Sequence, residues 1–242
     1  MSWNTVFFRD LSLATFDGLN DYYAVMELQL KTLKENDRKK IEDDIKKLDL
    51  SDEQKYTEWD LAMQNHTATF NMMYTNFFRY SFVILLFLAL EDWLHKLCLA
   101  VQDINGISNP PVPSKDLLRV YKSYLTEAQV SVNDKLWEVA YDLQKVRDCI
   151  VHTSGDVTRS KDERHLRAMA KSKKGVKISS YVYSGDEEPL YLDNDMLLIQ
   201  PDYCTSAIRN IKVLIEGLCD EVPLKRIDFS ELLPQKSGNQ SG

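Results

Sequence analysis

This chain of 242 residues has little of what builds covalent or metal-held folds. Its four cysteines, Cys98, Cys149, Cys204 and Cys219, are scattered and form no Cys-x-x-Cys pair. Neither a disulfide framework nor a zinc knuckle is therefore expected; reduced thiols in a cytoplasmic protein are. No His-x-x-x-His pair or carboxylate cluster marks a metal site, and no glycine-rich phosphate loop follows a strand. No cofactor is expected, and there is no internal repeat. The opening MSWNTVFFRDLS has no basic stretch ahead of an apolar core, so no signal peptide is expected. The run FVILLFLAL, 82–90, falls far short of the roughly 20 apolar residues that span a bilayer. It predicts a helix segment buried on all sides, and no membrane association.

The chain does have enough apolar residues, 44%, for one large domain, expected over 1–222 with a flexible tail over 223–242. Its net charge of -7 does not mark the whole surface for nucleic acid. The pattern predicts an all-α bundle with a small β-hairpin. A first helix is expected from about Phe16 to Leu48. Ser51, three residues before Gln54, forms a capping-box pattern that starts a second helix, running to about Ile104 and broken within. SNPPVPS, 108–114, is a rigid connector, after which Ser114 caps a short helix through about Leu125. A further helix covers 132–152. VKISSYVY and LYLDNDMLLI form a hairpin over 176–199, and Pro201 opens a last helix to about Cys219.

The 132–152 helix ends in VRDCIVHTSG. Val132, Leu136, Val139, Leu143, Val146 and Ile150 alternate in steps of four and three and draw one core stripe. Trp137, Tyr141, Asp148 and His152 cluster on the opposite side of the wheel, so a second, outward face is expected. Asp148 and His152 stand at i and i+4, where a carboxylate can orient an imidazole. Arg147 lies about 140° from His152 on an ideal helix. Its long side chain, unwinding before TSG, or a two-fold partner could bring the two together. Cleaving RNA by attack of a ribose 2′-hydroxyl on the adjacent phosphate needs a base, an acid and a cation, and no metal. The plainer alternative is a solvated Arg147 and a His152 favoured by the helix dipole.

The segment 159–177 holds Arg159, Lys161, Arg164, Arg167, Lys171, Lys173, Lys174 and Lys177 against Asp162 and Glu163. Of the chain's 30 bases and 37 acids, eight and two lie here, leaving -13 for the remainder. A polyanion such as RNA held by these residues would lie near Arg147 and His152; a solvated linker is the alternative.

RDCIVHTSG at the end of a late helix resembles the signature of HEPN domains. Their pattern is Arg, often a polar residue next, then His after four to six intervening residues. Asp148 stands where Asn is commonest; Ile150, Val151 and Gly155 match the usual apolar pair and glycine. LFLALEDWLHKL resembles the long second helix, with Glu91 as its acidic residue. The likeness covers about 10–220 in architecture and specific residues at 147–155 and, less closely, 79–94. It implies a helical bundle that dimerises through the 132–152 helix, and a metal-independent endoribonuclease of the kind found among toxins and antiviral defence effectors. It implies that Arg147 contacts phosphate, His152 transfers protons and Asp148 assists, with Glu91 and Tyr141 in support. A protein antitoxin or defence partner is also implied. Ser154 departs from one subfamily, paired with a nucleotidyltransferase antitoxin, which has Tyr there. The hairpin lies outside the minimal bundle and reads as an insert.

Two other readings compete. One is a non-catalytic HEPN-like module that dimerises or binds a partner or RNA. The other is a cysteine hydrolase using Cys149 and His152, disfavoured because Cys149 sits among core residues and reads as a small hydrophobe. His66 and His95 stand isolated on helices, and His95 reads as structural or surface; His165, in the basic segment, could help bind RNA, with simple exposure as the alternative.

Overall fold

The computed structural model describes residues 5–105, 116–130, 133–172, 175–182 and 190–222, with side chains over the same residues except 5–8, 72, 103–105, 181–182 and 190–194. Helices α1 (Thr5–Lys46) and α2 (Asp52–Ala68) form a hairpin turned at Leu48–Ser51. Ser51 caps α2 as its sequence predicts: its side chain accepts from Gln54 N, and Gln54 Oε1 accepts from Ser51 N at 3.0 Å. From Ala24 to Asn65 no residue is buried, so the far half of α1 and most of α2 project from the core as an arm.

The second helix is interrupted without breaking. Residues Thr69–Tyr74 form a π-helical segment, closed by Thr75 N–H donating to the Phe70 carbonyl, and α3 (Thr75–Asn105) continues it. The widened turn seats Phe70, which is buried with its ring 4.8 Å from His66. α3 is the central column: Phe82, Val83, Leu86, Phe87, Leu90, Leu94 and Leu97 are buried. The apolar run is not buried on all sides, however. Leu85 is 41% and Leu88 47% exposed, because neighbouring helices cover only part of the circumference of α3.

α4 (Leu117–Glu127) lays Leu118, Tyr121 and Leu125 against α3. Its N-cap is Asp116; Ser114, the expected cap, lies outside the described residues. α5 (Asp134–Thr153) runs between α3 and α7 (Pro201–Glu221), and this sets its buried face. Leu143, Val146 and Ile150 of the expected stripe are buried; Leu136 and Val139 are half-buried, and Val132 is outside the described residues. Trp137, expected on the outward face, is fully buried, and Asp148 is 8% exposed. A helix covered from two sides buries a wider sector than a single stripe.

Residues 159–177 are not a linker. After a 3-10 turn at Val157–Arg159, α6 (Glu163–Ser172) buries Leu166 and Met169. Strands β1 (Val176–Val182) and β2 (Leu190–Ile199) pair antiparallel, Val176 opposite Ile199 and Ile178 opposite Leu197. The hairpin is stitched into the bundle rather than appended to it. Asn76 Nδ2 and Tyr80 Oη both donate to the Leu197 carbonyl, and Arg79 Nη1 donates to the Ile199 carbonyl at 2.9 Å. Arg79 also grips Glu27 of α1 through Nε at 2.7 Å and Nη2 at 3.0 Å. Pro201 opens α7, whose Ile211, Leu214, Ile215 and Leu218 complete the core. Apart from Phe70, the buried apolar residues make one continuous cluster, the all-α bundle with a small hairpin that the sequence predicts. The expected tail, 223–242, lies outside the described residues.

Candidate active site at the end of α5

α5 ends because Ser154 takes a left-handed conformation, φ 56° and ψ 28°, and its N–H returns to the Cys149 carbonyl. Gly155 follows at φ +87°, packed so closely on the Tyr80 ring that a Cβ would overlap the phenol. Its carbonyl accepts from Leu197 N at 2.9 Å. The TSG signature is therefore structural in part, because it turns the chain tightly and joins α5, α3 and β2.

Above that turn, Arg147 and Asp148 meet directly. Arg147 Nη1 donates to Asp148 Oδ1 at 2.9 Å, and Lys161 Nζ donates to Asp148 Oδ2 at 3.2 Å. The guanidinium carbon lies 5.2 Å from the centroid of the Phe87 ring. Arg147 Nε is buried without an acceptor. His152 is exposed, and its ring makes no hydrogen bond or ion pair among the described residues. Asp148 thus gathers two cations and does not orient the imidazole, contrary to the expected i, i+4 pairing. Glu91 is half-buried on α3, one turn beyond Phe87. Tyr141 is half-buried, its ring 6.3 Å from Trp137.

The basic residues divide. Arg159, Arg164 and Lys171 are exposed, and Lys161 reaches Asp148. Arg167 is held by Glu163 at 2.8 Å and Asp195 at 2.6 Å, which occupies the donors an RNA phosphate would need. Lys173 and Lys174 lie outside the described residues. Cys149 is fully buried, and burial pushes its thiol up, away from the thiolate a hydrolase would use.

No family model, curated protein or solved structure matches this chain.

Sequence reasoning missed a second cluster beside the first. A groove of about 780 Å³ runs between α5 and α6 and is lined by Tyr141, Asp142, Lys145, Asp148, Lys161 and His165, among others. His165 Nε2 lies 2.6 Å from Asp142 Oδ1, and Lys145 Nζ lies 3.1 Å from His165 Nδ1. Asp142 is 8% exposed. The i, i+3 spacing of Asp142 and Lys145 was visible in the sequence. The arrival of His165 was not, since it needs α6 to fold back over α5. Among the described residues, no group of three or more His, Cys, Asp or Glu is placed to hold a metal ion, and no helix is long and apolar enough to cross a membrane.

Proposed function

We propose that the chain is a metal-independent endoribonuclease of the HEPN type, acting as a defence or toxin-type effector. The observation that carries the reading is an exposed His152, without a hydrogen bond or ion pair among the described residues, on the same end of α5 as Asp148, which gathers Arg147 and Lys161. In the reaction the ribose O2′ gives up its proton and bonds to phosphorus. The P–O5′ bond breaks, and O5′ takes a proton, leaving a 2′,3′-cyclic phosphate and a 5′-hydroxyl. His152, with neither ring nitrogen bonded to a partner among the described residues, suits one proton transfer. Lys161 and Arg147 suit the phosphate oxygens. Arg147 must turn from Asp148 to reach them. Its buried, unpaired Nε favours that turn, since an unmet buried donor costs about 1–3 kcal/mol. A second protomer, meeting the first at the exposed end of α5, would bring a second His152 for the other proton transfer.

One observation favours the non-catalytic alternative: Arg147 is already engaged by Asp148 and Phe87. Incubation of purified protein with single-stranded RNA and EDTA separates the two. Cleavage is expected, with loss of at least roughly 100-fold in His152→Ala. Equal rates in wild type and His152→Ala, once contaminants are excluded, would rule out the catalytic assignment. A wild type that sediments as a monomer at micromolar concentration would rule out the composite site.

A further inference from the structure

We infer that the α5–α6 groove is a phosphodiester-binding subsite whose anchor is Lys145, positioned by His165 and Asp142. The inference rests on the ribonuclease reading for its ligand, RNA, but on different residues for its site. An ammonium has only hydrogens to offer, so His165 Nδ1 must accept from Lys145. The ring proton then sits on Nε2 and is donated to Asp142. The imidazole is thus clamped between a nearly buried carboxylate and the Lys145 ammonium.

The consequence lies in how charge is balanced. Other cations around the groove face carboxylates: Arg119 stands 4.0 Å from Asp116, and Lys161 is paired with Asp148. Lys145 has no carboxylate within ion-pairing distance among the described residues. Held by an imidazole instead of a carboxylate, it keeps two N–H donors without a partner among the described residues. Because one of its three hydrogens is fixed, the half-buried ammonium is also ordered before any ligand arrives, which lowers the entropy lost on binding.

The remaining lining decides what kind of anion fits. Asp116 and Asp148 each face a cation, whereas Asp142, which meets the His165 ring, and Glu138 and Asp162 also face the groove. A dianion such as inorganic phosphate is repelled by them more strongly than a monoanionic diester. The half-buried Tyr141 offers a ring beside the anchor on which a base can stack. An RNA strand bound by Lys145 therefore passes Lys161 and Asp148 on its way to the end of α5, since all these residues line one groove.

The test is binding of a fluorescent 2′-O-methyl oligoribonucleotide, which lacks the attacking hydroxyl, followed by anisotropy across a salt series. Lys145→Gln, a change at a half-buried position that leaves the core alone, should weaken binding about tenfold and lower the slope of log K against log salt by about 0.7. His165→Leu should weaken binding in the same way, with a lower melting temperature because the nearly buried Asp142 loses its ring donor. Inorganic phosphate should compete poorly against the oligonucleotide. Wild-type affinity and an unchanged salt slope in Lys145→Gln would overturn the subsite, as would wild-type protein that binds no oligonucleotide. Binding that depends on Lys145 without any cleavage of ordinary RNA would leave the subsite standing and remove only the ribonuclease reading.

Discussion

Asp148 accepts hydrogen bonds from Arg147 and Lys161, residues on two different segments, while His152, one helical turn from it, has no hydrogen-bond or ion-pair partner among the described residues. The carboxylate is nearly buried, so its two cationic partners offset the cost of its desolvation. Asp148→Asn should therefore release both cations. The expected outcome is a loss of stability of about 2–3 kcal/mol, read by urea unfolding. His152→Ala, a change at an exposed side chain without a hydrogen bond or ion pair among the described residues, should unfold with wild type within about 0.5 kcal/mol.

Gly155→Ala addresses the turn after the motif. The added methyl would meet the Tyr80 phenol at a backbone conformation that L-residues rarely adopt. A loss of about 3 kcal/mol is expected, with a melting temperature lower by several degrees. A neutral result would mean that α5 can leave α3 and β2 without penalty.

Trp137→Ala should cost about 3–5 kcal/mol, since the indole is fully buried between helices. The same burial means that Trp137→Asp reports on the core and not on a dimer interface. Sedimentation of the wild type is the cleaner measure of assembly.

Acid stability should depend on Glu27. Burial raises its carboxyl, but hydrogen bonds from Arg79 and Tyr23 outweigh this and hold it below its ordinary value of 4.5. A depressed folded value contributes stability that is complete above the unfolded value and is lost as pH falls through the folded one. Wild type should thus lose stability below about pH 4.5 more steeply than Glu27→Gln, which should be less stable at pH 7. Chemical unfolding at pH 3 and pH 7 checks this; parallel losses in both proteins would discount the Arg79–Glu27 pair.

Much of the fold was legible because local chemistry set it. The Ser51 capping box, Pro201 at the start of α7 and the alternating residues of the hairpin each act over a few residues. What was not legible depends on neighbours distant in sequence. The wheel of α5 put Trp137 in an outward position because it assumed one covered face, whereas α3 and α7 cover two. The wheel also paired Asp148 with His152 by spacing; Lys161 and the Phe87 ring, both from other segments, altered that choice. His165 met Asp142 across 23 positions, a contact no periodicity encodes.

The arm of α1 and α2 has a separate consequence. Its amides are protected by helical hydrogen bonds but by almost no buried side chains, since residues 24–65 include none that is buried. Two helices with so little buried between them open at lower free energy than the column of α3, so among the described helices the tip beside Ser51 is where hydrogen exchange should run fastest and where a protease should cut first. The bundle could thus survive a nick at the tip, and the end of α5, held by α3 and β2, would keep its geometry.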